Sequence, residues 1–266
     1  MSAVLDAPSE ISPGAAFLAV LWRDVFVTGR ELPTFLAQVI LQPLLLLFVF
    51  GRILTELGFA RAGYAHLLFP GVVAMTVVLT SLQSTALSLV IEFSFTKEIE
   101  DRLMAPLPVT FVAIEKMIFA AMRGVTAGLV MFPIGVLVLG SIPFRAAGLA
   151  TAAAALVLGA ITGSTLGLTL GTLVPPQRIN ITFALVMTPL LFTGCSQYPW
   201  PSLVRLRWFQ VVTTLNPMTY VSEAMRASLV PGVAHMNTTV CFIAIFAAIG
   251  IFGTIGIRDF LRRAID

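Results

Sequence analysis

Charged side chains are scarce, making up 11% of the 266 residues, where an ordinary soluble domain carries about 25%. A small water-soluble globule is excluded, because such a body must cover itself with polar groups. There are only two lysines, Lys97 after Thr96 and Lys116 after Glu115. Neither completes a G-x-x-x-x-G-K-[ST] loop, so the chain is not expected to bind ATP that way. His66 and His235 are followed by Leu67 and Met236; no H-E-x-x-H pattern exists, and both read as interfacial polar residues. Cys195 and Cys241 cannot build a disulfide framework or a four-ligand zinc site. A single bridge between them is conceivable, and two buried free thiols are the simpler expectation. No nucleophile elbow G-x-S-x-G is present. With no catalytic and no metal-binding pattern, the chain is not expected to be an enzyme by itself. The net charge of +3 comes with no basic run, so a nucleic-acid partner is not expected either.

What the chain has in quantity is apolar length: 58% hydrophobic residues and a mean hydropathy of +0.98. Crossing about 30 Å of hydrocarbon takes roughly 20 apolar residues as a helix. Six windows qualify, at Thr34 to Leu54, Ala65 to Ile91, Lys116 to Gly140, Ala147 to Leu173, Ile181 to Cys195 and Met236 to Ile257. The expected fold is therefore an all-α integral membrane protein with membrane lipids around it. The first window follows a polar N-terminal stretch without a basic start or cleavage pattern, so it reads as a retained span. The fifth, at about 22 Å of helix, is short for a crossing. Basic residues are slightly richer on the side bearing Arg23, Arg30, Lys97, Arg102, Arg178 and the Arg258 to Arg263 cluster, which favours both termini inside.

Ahead of the first span, Ala15 to Gly29 places Phe17, Leu18, Leu21, Trp22, Val25 and Phe26 at helical spacing. That pattern suits a helix lying along the inner membrane surface, or one packed on protein. Between Gly194 and Pro231, two short helix-like stretches, Leu203 to Leu215 and Met218 to Leu229, are separated by Asn216-Pro217. They read as a hairpin dipping into the outer leaflet, with a plain external loop as the other possibility. Glu92, Glu115, Lys116 and Arg123 fall at or near the inner boundary, where Glu92 and Arg123 are a possible pair.

In the second span Thr76, Thr80, Ser84 and Ser88 recur every four residues, with Gln83 beside them, so one helix face carries hydroxyls. Gln42-Pro43 adds a polar, kinkable point in the first span. Either feature serves a transport path or close helix packing. In the fourth span Gly159, Gly163, Gly167 and Gly171 form a stripe without side chains, expected to receive a neighbouring helix.

The most charged stretch, S-F-T-K-E-I-E-D-R-L-M-A-P-L-P, lies within residues 93–110. Lys97 with Asp101 and Glu98 with Arg102 are four apart and support a short helix, which Pro106 and Pro108 end. By composition alone this is as readily a solvated loop.

Here the chain resembles the permease subunits of type-two ATP-binding-cassette exporters, in which a charged stretch ending in a proline turn follows the second span. Further matches are N-P-M-T-Y-V-S-E-A-M-R from Asn216 to Arg226, Phe192-Thr193-Gly194 with Pro199 and Pro201, and Trp22 to Gly51. Val204-Arg205-Leu206-Arg207 departs from the small or polar residue usual there. The nearest likeness is to the drug-resistance, daunorubicin-type branch. The resemblance implies six spans, a cytoplasmic coupling helix within 93–110, and a re-entrant hairpin within 194–231 that includes Gly194, Pro199, Asn216, Pro217, Tyr220 and Arg226. It also implies two cytoplasmic ATPase subunits, which carry the ATP and Mg, and a second permease, identical or related, in a bacterial inner membrane. The coupling residues would be Arg23, Asp24, Lys97, Glu98, Glu100, Asp101, Arg102 and Pro106. The path would use Gln42, Thr76, Thr80, Gln83, Ser84 and Ser88 to move an amphipathic small molecule, drug or lipid-like compound outward. A lipid-linked polysaccharide is the alternative cargo, and a membrane enzyme or scaffold without an ATPase the more distant one.

Reversing the charges of Glu100 and Asp101 is expected to abolish substrate-stimulated ATP hydrolysis and export without unfolding the spans. Unchanged transport in reconstituted vesicles would overturn the coupling assignment.

Overall fold

The computed structural model describes residues 13–30, 32–61, 63–93 and 108–265, and every regular element among them is helical. The helices are α1 (Pro13–Arg30), α2 (Leu32–Glu56), α3 (Tyr64–Ile91), α4 (Val109–Leu139), α5 (Leu149–Leu173), α6 (Ile179–Thr193), α7 (Arg207–Thr214), α8 (Pro217–Leu229) and α9 (Thr238–Ile265). The stretch expected to form the coupling helix, with Lys97, Glu98, Glu100, Asp101, Arg102 and Pro106, lies outside the described residues.

Five helices are long and apolar enough to cross a membrane: α2, α3, α4, α5 with its leading turn, and α9. The window expected as the fifth span is the 15-residue helix α6, shorter than the others and about 22 Å long. One correction concerns α4. Its expected start at Lys116 moves back to Val109, since Glu115 and Lys116 are buried inside the helix and do not mark its end.

Helix α3 is the axis of the bundle, with 83% of its most apolar window buried against 22% for α2. Its neighbours approach closely where they have no side chain. A Cβ on Gly159 would stand 2.6 Å from Val221 of α8, and one on Gly171 would stand 3.1 Å from the Ala86 backbone of α3. At Gly163 and Gly167 the obstacles are the carbonyls of Val78 and Leu82. The glycine stripe of α5 is thus a packing face, gaining dispersion contacts where lipid cannot supply a hydrophobic drive. On the adjacent face, Gly124 of α4 sits on Ser81 and the Val77 carbonyl.

Helix α2 departs from regular α geometry. Pro43 has no N–H to give to the preceding turn, and the chain widens into a π-type turn over Leu47–Ile53. Gly51 in that turn is buried against Leu139 of α4 and Leu68 of α3.

Helix α8 runs antiparallel to α5 inside the bundle. Pro217 at its start shares a cavity wall with Leu166 and Thr169, Val221 meets Gly159, and the Ser228 carbonyl closes on Gly148. Helix α8 thus lies along α5 from Gly148 to beyond Gly159.

Gly163→Ala should cost about 1–3 kcal/mol by overpacking. Gly250→Ala in α9, where nothing lies within 4 Å of a new Cβ, should be neutral or stabilising by up to about 1 kcal/mol. Thermal unfolding of both variants in detergent micelles checks the contrast.

Candidate functional site

Three polar constellations stand out in an otherwise apolar bundle. The first is the buried ion pair of α8. Glu223 and Arg226, three residues apart, are both fully buried and hydrogen-bonded to each other. Arg226 donates from Nη2 to the Cys195 carbonyl at 2.8 Å and from Nε to the Leu67 carbonyl at 3.3 Å. Glu223 accepts the Trp200 N–H at 3.0 Å and the Met236 N–H at 2.8 Å. One pair thus fixes the start of α3, the turn after α6, the segment before α7 and the segment before α9. Burying two charges is costly, and the cost is met only where every remaining donor and acceptor is engaged, as here.

The start of α8 is held just as closely. Asn216 caps the helix by accepting the Met218 N–H at 2.9 Å, the usual service of asparagine at that position. Its Nδ2 donates to the Leu190 carbonyl and to Thr193 Oγ1, both at 2.9 Å. Thr219 donates to the Thr213 carbonyl and Tyr220 to the Thr214 carbonyl, both at 2.7 Å. Gly194 has no room for a side chain beneath Met218. Cys195 takes a positive φ of 50°, which aims its carbonyl at Arg226. Both Cys195 and Cys241 are buried free thiols. Gly194, Asn216, Pro217, Tyr220 and Arg226 are therefore brought together. Pro199 starts the turn Trp200–Arg205 beside them. Glu223 was not singled out from the sequence, although it lies inside the N-P-M-T-Y-V-S-E-A-M-R run, one helical turn from Arg226.

The second constellation is at the opposite end of the bundle. Lys116 Nζ lies 2.5 Å from Glu92 and 3.4 Å from Asp24, and Ser88 donates to Glu92 at 2.7 Å. Arg23 joins Asp24 at 3.3 Å. Phe93 packs edge-on against Phe260 at 5.5 Å, with the Arg263 guanidinium 4.7 Å from its ring centre. Arg263 also donates to the carbonyls of Gly171 and Thr172 at 3.1 Å, the unsatisfied end of α5. The last described residues before the charged stretch, Glu92 and Phe93, are thus held by α4 and α9, with α1 joined to them through Lys116. On α1 the opposite face, with Leu18, Trp22 and Phe26, is exposed.

The third is a groove of about 320 Å³ between α2 and α3. Thr76, Thr80, Gln83, Ser84 and Ser88 line one wall and Gln38 and Gln42 the other, with Arg123 of α4 reaching in. All six residues expected on a path share this groove. Arg123 is not at the helix end: it stands about 21 Å along α4 at 1.5 Å per residue, next to Gly124 where α4 crosses Ser81. Its guanidinium lies 4.2 Å from the centre of the Phe35 ring, a cation–π distance. Gln38 and Arg123 could not be placed in the groove from sequence, because spacing along one helix says nothing of the helix opposite. Among the described residues no cluster of His, Cys, Asp or Glu could hold a metal ion.

A bundle of apolar helices with buried ion pairs is the make-up of a polytopic membrane protein, and comparison narrows the class. Residues 15–230 match the family described as ABC-2 type transporter, and the chain belongs to that family of transport permeases. It is also 29% identical over 229 residues to a transport permease named ycf38 in Cyanophora paradoxa, covering 79% of this chain and 72% of that one. Family membership implies partnership with ABC ATPase subunits in general.

Arg226→Ala leaves Glu223 buried without its partner and should cost about 3–5 kcal/mol. Arg226→Lys should recover only part of this, since an ammonium cannot reproduce the guanidinium fork. Thermal melting of both purified variants in one detergent measures the difference.

Proposed function

We propose that this chain is the membrane-spanning half of an ATP-driven exporter that moves an amphipathic small molecule, drug or lipid-like compound out of the cell. Two copies, or this chain and a related permease, pair with two cytoplasmic ATPase subunits that hold the ATP and Mg; the chain itself carries no cofactor and no catalytic site. It lies in a bacterial inner membrane with both termini inside, as in the drug-resistance branch it resembles. Helix α6 completes six crossings, α1 lies along the inner surface, and α7–α8 form a re-entrant hairpin in the outer leaflet.

The observation that carries this reading is the grip on the charged stretch. The charged stretch follows Glu92 and Phe93, which are tied to α4 and α9 and, through Lys116, to α1. It precedes Val109, which packs in the same small core as Leu89, Leu168 and Phe260. ATP binding acts on a permease only through contacts that differ between the two ATPase states. A push on this stretch reaches α4 and α1 through Lys116, and α5 and α9 through Arg263. The groove between α2 and α3 supplies the path, since exposed glutamines at membrane depth are costly against lipid alone.

The test is a mild-detergent pull-down of the tagged chain from its native membrane, with co-purifying proteins identified by mass spectrometry. A stoichiometric subunit with a phosphate-binding loop is expected. An added carbohydrate-binding domain on it would redirect the cargo to a lipid-linked polysaccharide. Its reproducible absence would overturn the exporter reading in favour of a membrane enzyme or scaffold.

A further inference from the structure

The net charge of +3 is unevenly divided between the two ends of the bundle. At one end Tyr64 donates to the Gln197 carbonyl at 3.0 Å, Arg52 donates to the Val138 carbonyl at 3.5 Å, and His66 lies 3.4 Å from Ser141. This end therefore gathers the α2–α3 turn, the α4–α5 turn and the segment leading into α7. Its carboxylates are Glu56, paired with Arg52 at 3.0 Å, and Glu223, buried against Arg226. Four further arginines, Arg61, Arg145, Arg205 and Arg207, are exposed here. Their side chains have no hydrogen bond or ion pair among the described residues.

The other carboxylates of the sequence attach to the opposite end. Glu31 adjoins the start of α2, and residues 94–107 are tethered to Phe93 and Pro108. Asp6 and Glu10 precede α1, whose Phe17 meets Phe111 near the start of α4. Asp266 follows α9, whose Phe260 meets Phe93. The 28 residues of α3 put about 42 Å between the two ends, and a 14-residue stretch tethered at both of its ends reaches back at most about 25 Å. Charge compensation for the four arginines must come from outside the chain.

Beside these arginines stand large apolar side chains: Phe59 near Arg61, Phe144 next to Arg145 and Trp208 next to Arg207, all exposed. On α7 the exposure is built in. Gln210 donates to the Trp200 carbonyl and accepts the Trp200 indole N–H on its own carbonyl, both at 3.3 Å. With that side held, Trp208, Val211 and Leu215 share the other face at helical spacing, and all three are exposed. Beside Arg61 is a cavity of about 480 Å³ whose other walls include Phe50, Leu54 and Leu67, apolar room for an acyl chain.

The combination selects the partner. Aromatic and aliphatic side chains on an amphipathic surface settle at the membrane–water boundary, and the guanidinium fork matches a phosphate. A soluble polyanion would leave the apolar groups in water, and a neutral lipid would leave the arginines uncompensated. We infer that this end of the bundle is a docking surface for anionic phospholipid, with Arg61, Arg145, Arg205 and Arg207 on its phosphates and Phe59, Phe144 and Trp208 at the level of its glycerol and upper acyl chains. The inference needs the long apolar helices to cross a membrane and is independent of any ATPase or cargo.

The test places the full chain, with its associated subunits, in nanodiscs of phosphatidylcholine. Cys195 and Cys241 are buried, so a thiol-reactive fluorophore is directed to Val211→Cys on α7 or, in a second preparation, to Leu57→Cys in the α2–α3 turn, both exposed positions. The signal of the chain without the added cysteine is subtracted. Quenching by nitroxide-labelled phosphatidylglycerol is compared with quenching by nitroxide-labelled phosphatidylcholine at equal mole fraction. Phosphatidylglycerol should quench both labels at least about twofold more strongly. Arg205→Gln with Arg207→Gln should remove that preference at Val211→Cys and leave it at Leu57→Cys, and Arg61→Gln should do the reverse. If a variant does not fold, salt decides: at about 1 M, where the Debye length is about 3 Å, the preference should vanish. Equal quenching by the two lipids, no quenching by either, or a preference that survives in the folded variants or at high salt overturns the inference. Heparin that shields the labels from iodide where phosphatidylglycerol has no advantage also overturns it, in favour of a soluble polyanion.

Discussion

The buried Glu223–Arg226 pair is the constraint on which the rest of the bundle depends. A 13-residue helix as polar as α8 would ordinarily lie at a surface, yet nearly all of it is buried. The pair makes that possible, because its outward-facing valences are used to hold backbone groups from four other segments. Take one partner away and α8 keeps its apolar contacts with the core but carries an uncompensated buried charge. The segments before and after it would also lose the bonds that satisfy their exposed amides and carbonyls.

Close packing supplies what the ion pair does not. The glycines of α5 and Gly124 of α4 let two helices reach the α3 backbone, meeting on either side of Ser81, so α3 is held by contacts that leave almost no room for an added atom. Where α3 faces α2 the arrangement changes: Gly51 packs on Leu68 near one end, and farther along polar side chains line a groove between the helices. The same helix is rigidly embedded along one flank and open along another, which is the arrangement a permease needs if one wall is to move against a fixed one.

Much of this was legible in the sequence, and the misses have physical causes. Hydropathy placed α2, α3, α5 and α9 within a few residues, apart from the inner end of α9, because each is long and apolar. The glycine stripe and the hydroxyl face were visible because four-residue spacing puts side chains on one side of a helix. The start of α4 was missed because Glu115 and Lys116 look like a boundary until Lys116 is seen to meet Glu92 and Asp24. That shift of about 10 Å also carried Arg123 from the expected membrane edge to mid-helix. Glu92, considered as a partner for Arg123, was found with Lys116, the basic residue at its own depth. Burial of α8 was not legible by hydropathy, since its ionised and hydroxyl groups hide it; only the motif running from Asn216 to Arg226 pointed there.

Helix α1 has a consequence of its own. Its carboxylate at Asp24 faces inward to the ammonium of Lys116, while Leu18, Trp22 and Phe26 face outward along one stripe. On the reading of α1 as an interfacial helix, that stripe rests in the headgroup layer like the hull of a float. The same ammonium anchors Glu92, the point from which the charged stretch departs. Where the spans tilt in membranes of different thickness, Glu92 therefore stays at the level that α1 sets.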